Sequence, residues 1–300
     1  MRIDAHQHFW LMRDRKGQWP PPDLTDIHRD FMPHDLEPTL RACGIGGTVL
    51  VQSLPALGDT DFLLDLADQH SFILGVVGWV DLKAADAASH IARLAAHSKL
   101  KSLRPMLQDI PDTDWIDDPH LDPAIAAMKE ADLCFDALVM PQHLRALTAF
   151  AKRHPDLSIV IDHGAKPRIA TGETRQWREA MAGLAILPNV HCKLSGLLTE
   201  AGERRDAAAI KPYADTLLEL FGPERLIWGS DWPVLRLAGA YGDWLAMCQA
   251  LVPACHHDKV FGTNASRFYK LKVSRHDQGP DAEHDRQSFT PTCSRSGELH

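Results

Sequence analysis

Residues 2–10, RIDAHQHFW, carry the reading from which the fold follows. Residues 2–8 form a short β-favouring run that stops at two histidines, and a Pro- and Trp-bearing stretch comes next. Side chains alternate along a strand, so His6 and His8 leave it on the same side. Two imidazoles on one face make half of a metal site, although the pair alone also suits ordinary hydrogen bonding. Seven further runs of the same kind follow, at 47–52, 73–80, 101–105, 134–139, 158–163, 189–194 and 226–231. Between them, apolar residues recur at helical spacing over 35–43, 62–70, 84–97, 123–131, 142–154, 173–184, 207–221 and 243–251, with a last helix at 264–271. Alternating strand and helix predicts parallel strands joined by crossover helices. The count of eight, with no GxGxxG after the first strand, favours a closed α/β (β/α)8 TIM barrel over an open doubly wound sheet.

The composition agrees. Of 300 residues, 45% are hydrophobic and 24% charged, enough apolar mass for a large core. The net charge of -8 argues against nucleic acid as a partner, since phosphate binding needs a clustered basic surface. No apolar run is long enough to span a membrane, and MRIDAHQHFW lacks a signal-peptide core, so a cytoplasmic location is expected. The six cysteines are scattered without a CxxC pair, which suits reduced thiols. The repeats predict one barrel domain over 1–273. Residues 11–33 break the pattern after the first strand and read as a lid-like insertion over the active-site face. The polar, aperiodic residues 274–300 read as a disordered tail.

Chemistry-bearing residues fall at the ends of these runs. IVIDHGAKP ends the sixth strand at His163, a third candidate imidazole, with Asp162 expected to point to the opposite side. LIWGSDWPV ends the eighth at Asp231, a carboxylate that can ligate a cation, take a proton from water, or cap the segment after it. In a barrel, His6, His8, His163 and Asp231 all lie at C-terminal strand ends, where barrel enzymes place their chemistry.

HQHFW, IDHGAKP, KLSG, GSDWP and GTNASRFY, in this order, resemble the amidohydrolase superfamily, and its lactonase-type branch in particular. LRPMLQDIPD and HRDFMPHDL resemble the sugar-lactonase group more narrowly, the L-fuconolactonase and L-rhamnonolactonase kind. The resemblance spans residues 1 to about 271 and implies a (β/α)8 metal-dependent hydrolase. It implies that His6, His8, His163 and Asp231 hold one divalent metal, zinc first, and that Asp231 and His163 are catalytic. Binuclear members carry a bridging lysine or glutamate at the end of strand four; here that strand ends near Arg104, which cannot ligate. Some relatives open lactones without metal, so metal-independent catalysis stays open.

For a sugar-acid lactone as substrate, Arg104 offers a rigid fork of donors and Lys166 a hydrogen bond from the strand-six loop. Trp10 and Trp232 flank site residues and offer aromatic faces to sugar C–H groups. His28, in the insertion, and Gln52, ending strand two, are further polar candidates, while Lys193 and Ser195 share a face of strand seven without an assigned role. Two competing readings are an amidohydrolase-type decarboxylase of an aromatic or related acid, and a catalytically dead barrel used for binding. Oligomeric state is not legible.

Overall fold

Each apolar run forms a strand, and the strands pair in chain order. The computed structural model describes residues 1–272. Its strands are β1 (Arg2–Gln7), β2 (Ile45–Val51), β3 (Ile73–Gly78), β4 (Leu100–Leu103), β5 (Cys134–Ala137), β6 (Ile159–Ile161), β7 (Val190–Leu194) and β8 (Leu226–Trp228). Each is parallel to the next. The crossover helices are α1 (Pro33–Cys43), α2 (Leu57–Gln69), α3 (Ala87–Ala95), α4 (Asp122–Glu130), α5 (Leu144–Arg153), α6 (Arg175–Ala185) and α7 (Ala207–Phe221), and α8 (Tyr241–Leu251) follows the last strand. The tail expected over 274–300, with Cys293, lies outside the described residues.

Local chemistry sets the helix ends. The Asp206 side chain accepts the Ala209 N–H (2.8 Å) and so caps α7, and Asp35 accepts the Met32 N–H (2.8 Å) at the start of α1. Gly44, at φ 65°, stops α1. Along α5, Leu144, Leu147, Phe150 and Ala151 recur at three- and four-residue spacing and are buried. The structure moves several expected boundaries. Helix 84–97 forms only over Ala87–Ala95, the one expected at 62–70 starts at Leu57, and residues Pro141–His143 make a tight turn ahead of α5. The final helix covers Asn264–Phe268. β6 and β8 stop at Ile161 and Trp228, so His163 and Asp231 lie beyond them in left-handed backbone, at φ 54° and 60°.

The seam between the first and last strands closes at the mouth, where the His8 N–H donates to Trp232 O (2.7 Å) and the Asp231 N–H to His6 O (2.8 Å). At the opposite end the interior is apolar: Ile3, Ala5, Val49, Val51, Val77, Cys134, Val160 and Ile227 pack on Phe268, Tyr269 and Leu271 from the C-terminal segment. The Asn264 amide anchors that plug by donating to Pro223 O (2.7 Å) and Leu226 O (2.8 Å). Residues 11–33 are tied down by paired backbone bonds between Trp10 and Phe31 (both 2.9 Å). The buried Arg15 guanidinium adds bonds to Ser53 O (3.1 Å) and Ser53 Oγ (2.7 Å). Among the described residues no helix is long and apolar enough to cross a membrane.

Gly229 sits where the seam is tightest: a Cβ there would lie 2.7 Å from His6 Cβ and 3.0 Å from His6 N. Gly183, on α6, has nothing within 4 Å. Gly229→Ala is therefore expected to cost about 1–3 kcal/mol of unfolding free energy, and Gly183→Ala to add up to about 1 kcal/mol, as read from urea midpoints; equal effects would refute the steric account. At the barrel base, the ring of His191 packs 4.8 Å from that of Phe268. Burial, then the charge of Arg225, lowers its pKa to about 4. An unfolded chain takes up a proton there near pH 6.5 and the native one does not, so this contribution is present at neutral pH and lost as pH falls from 6.5 through 4. His191→Phe should flatten the fall in stability over that window by up to about 1.4 kcal/mol per pH unit, measured as the difference between variant and wild-type urea curves.

Candidate active site

The histidine pair faces inward because β1 changes phase. Asp4 pairs with Thr48 and Gln7 with Leu50, so three steps on β1 oppose two on β2, a bulge. Before it, Ile3 and Ala5 point into the barrel, while Asp4 points out and accepts from Ser230 Oγ (2.6 Å) and the Tyr241 hydroxyl (2.9 Å). After it, His6 and His8 point in.

Three imidazoles then converge on one carboxylate oxygen. Asp231 Oδ1 lies 3.2 Å from His8 Nε2, 3.6 Å from His6 Nε2 and 3.9 Å from His163 Nε2. All four side chains are buried or nearly so. Each ring is oriented by its other nitrogen. His8 Nδ1 meets Val51 O (2.7 Å), His163 Nδ1 meets Ser195 Oγ (2.9 Å), and His6 Nδ1 lies 3.1 Å from Lys193 Nζ and 3.4 Å from Asp162 Oδ1. The KLSG glycine has a mechanical reason: a Cβ on Gly196 would stand 2.5 Å from His163 Nδ1.

Beneath the site lies a buried layer of charge. Lys193 Nζ donates to Asp136 Oδ2 (2.6 Å) and also pairs with Asp162 Oδ1 (2.9 Å); Asp136 is further held by Ser102 Oγ (2.6 Å) and the Tyr269 hydroxyl (2.7 Å). The structure corrects the expectation that Asp162 points to the side opposite His163: it faces inward, onto Lys193, His6 and Arg104. It continues the inward phase of Val160, and the left-handed backbone at His163 brings the next side chain inward as well. Burial works against the Asp162 carboxylate, but Lys193, His6 and Arg104 outweigh it and hold its pKa well below the ordinary value. Lys193, opposed by burial, is raised by Asp136 and Asp162. Burial opposes ionisation of Asp231 too, and the three imidazoles overcome it, so its carboxylate persists below the usual range. His163 is lowered by burial to about 4, despite Asp231 and Asp162.

The site opens into a cavity of about 470 Å3. His8, Arg104, His163, Lys166 and Asp231 line it, with Trp19, Met106, Leu138, Val234 and Leu237 as its apolar wall. Arg104 is buried: Nη1 reaches Asp162 Oδ2 (3.3 Å) and His6 Nε2 (3.3 Å), Nη2 donates to Gln52 O, and Nε has no partner among the described residues. Gln52 stands behind Arg104, its amide donating to Arg104 O (2.7 Å), and does not line the cavity. The other expected contacts fall elsewhere. Trp10 and Trp232 are buried with Phe31, at ring distances of 5.3 and 5.2 Å, and support the wall from behind. His28 is exposed on the insertion and donates through Nδ1 to Pro20 O (2.9 Å). The aromatic face that reaches the cavity is Trp19, which packs on Trp10 (5.3 Å) and is 38% exposed. Trp19 and Glu200 carried no strand-end signal; both come from loops folded over the mouth.

The model of the family described as amidohydrolase matches residues 3–271. The chain is 56% identical over 285 residues to an L-fucono-1,5-lactonase from Burkholderia ambifaria, covering 92% of this chain and 98% of that one. It is 36% identical to an L-fucono-1,5-lactonase from Burkholderia multivorans, over 90% of this chain and 96% of that one. A crystal structure of an amidohydrolase from Burkholderia multivorans with bound zinc superposes with a TM-score of 0.86 at 37% identity, covering 91% of this chain and all (100%) of that one. A barrel whose first, sixth and eighth strands bring His6, His8, His163 and Asp231 to one rim, matched over nearly its whole length, belongs to the amidohydrolase family.

Proposed function

We propose that the protein is a hydrolase that opens a sugar-acid lactone of the L-fucono- or L-rhamnonolactone kind to its aldonic acid. The observation that carries this reading is Asp231 Oδ1 within 3.9 Å of three imidazole nitrogens at the floor of a cavity large enough for one sugar ring. Near-full-length identity to L-fucono-1,5-lactonases supports the choice of substrate class. The cavity is built for a polyhydroxylated ring rather than a planar aromatic acid. Its lining combines Lys166, Glu200, Thr199, Gln108 and Asp109 with apolar side chains, and Trp19 is its one aromatic ring besides the imidazoles among the described residues. Such a reaction places the enzyme in carbohydrate breakdown.

Hydrolysis joins water oxygen to the carbonyl carbon and breaks the bond from that carbon to the ring oxygen. Asp231 takes a proton from the attacking water and returns it to the ring oxygen as that oxygen leaves. The low pKa of Asp231 keeps it in the accepting form at neutral pH. Arg104 is held by Gln52 and Asp162 before substrate arrives, so its N–H groups meet the charge growing on the carbonyl oxygen without reorganising. Trp19 offers its ring to the C–H face of the sugar.

The donor set fits a divalent ion. A carbonyl only accepts, so His8 Nδ1 must donate to Val51 O, and a neutral His8 then turns its Nε2 lone pair toward Asp231 Oδ1 at 3.2 Å. Two acceptors facing each other across a buried gap are reconciled by a cation. His6, His163 and Asp231 present ligand atoms within 4.8 Å of one another, and His8 adds a fourth donor. When bound there, zinc or another divalent ion would polarise the carbonyl or acidify the attacking water.

Asp231→Asn keeps the shape and removes the proton acceptor. It should lower kcat at least about hundredfold in a pH-indicator screen of aldonolactones, with aldonate binding nearly intact; unchanged turnover would leave a binding module. Chelation should remove the metal measured on the same preparation and depress turnover, with zinc restoring it. Full activity in metal-free enzyme would give the chemistry to Asp231 and Arg104 alone.

A further inference from the structure

Four consecutive residues after β6, His163, Gly164, Ala165 and Lys166, have φ of 54°, 56°, 62° and 49°. A left-handed turn is costly for residues with a Cβ, and only one of these is glycine. The turn is closed by the Lys166 N–H on His163 O (2.9 Å) and pinned by Trp177 Nε1 on Gly164 O (2.7 Å). Its effect is to send both His163 and Lys166 into the cavity, three residues apart. Opposite Lys166 stands Glu200, from the loop after β7, with Thr199 beside it.

Lys166 Nζ and Glu200 Oε1 are 3.7 Å apart, too far for a hydrogen bond, with side chains only 22% and 26% exposed. No second ion pair of either side chain is seen among the described residues, while Glu200 also feels the Asp231 carboxylate and Lys166 bears on His163. A three-quarters-buried ion pair normally closes to contact and fills its remaining donor and acceptor positions. This one stays open, one end a donor and the other an acceptor, at the rim of a site whose floor carries the reacting groups. A sugar hydroxyl both donates and accepts, which matches that gap.

We propose that Lys166 and Glu200 form the hydroxyl-reading subsite of the cavity. Lys166 donates to, and Glu200 accepts from, adjacent ring hydroxyls of the lactone, and the left-handed turn fixes the distance from that contact to His163. The pair thereby determines specificity for polyhydroxylated over plain lactones. This inference rests on the lactonase reading.

The test uses the wild type, Lys166→Met and Glu200→Gln, each checked for an unchanged thermal midpoint, so that either variant suffices if the other fails to fold. Turnover of L-fucono-1,5-lactone is measured alone and with δ-valerolactone, the same ring without hydroxyls, as competitor. KM for the hydroxylated lactone should rise about ten- to hundredfold with kcat changed far less, while competition by δ-valerolactone stays within about threefold of wild type. Equal weakening of both lactones, a fall in kcat at unchanged KM, or no change overturns the proposal. Wild type that releases acid from no lactone overturns the lactonase reading and this subsite with it, and is told apart because the failure precedes any substitution.

Discussion

Closure of the barrel at its first and last strands is the constraint on which the site depends. Two backbone bonds, His8 N–H to Trp232 O and Asp231 N–H to His6 O, hold the ends of β1 and β8 side by side at the mouth. Residues 223 apart in sequence, His8 and Asp231, then meet at 3.2 Å. The seam has little slack. Gly229 has no side chain because His6 occupies that space, and the aromatic stack of Phe9, Trp232 and Phe31 packs behind it. Interiors are packed about as densely as organic crystals, so neither strand end has free space to shift into.

Below the mouth, electrostatics takes over from packing. An ammonium and two carboxylates in the barrel interior are tolerable only because each finds several partners: Lys193 with Asp136, Asp162 and His6, and Asp136 with Ser102 and Tyr269 as well. Removing one partner leaves a buried charge uncompensated, so the layer acts as a unit. Its upper surface is His6 and Arg104, which places the charge network in direct contact with the groups proposed to react. The interior thus runs from an apolar plug at Phe268 and Tyr269, through a charged middle, to imidazoles and a carboxylate at the top.

Backbone strain concentrates at the same rim. Asp231 and the run from His163 to Lys166 adopt left-handed φ immediately beyond regular strands. A continuing strand would send alternate side chains outward; the left-handed residues break that alternation and send Asp162 and His163 both inward. Asp162 goes to the charge layer, His163 to the reacting centre and Lys166 to the cavity wall. The bulge in β1 does the same for Ala5 and His6.

The eightfold alternation of strand and helix was readable from the sequence alone. So was the place of His6, His8, His163 and Asp231 at the C-terminal side of their strands, although His8, His163 and Asp231 stand just past the strand ends. Hydrophobic period and strand-stopping residues are local properties, written in neighbouring side chains. The sequence could not show which residues stand behind the cavity wall and which line it. Trp10, Trp232, Gln52 and His28 look as eligible as Trp19 and Glu200 until the insertion and the loop after β7 are folded over the mouth. Nor could it show that Asp162 points inward, or that Lys193 lies against His6. Those facts depend on a bulge, a left-handed turn and a closed seam, where contacts between distant segments decide the backbone that local preference leaves open.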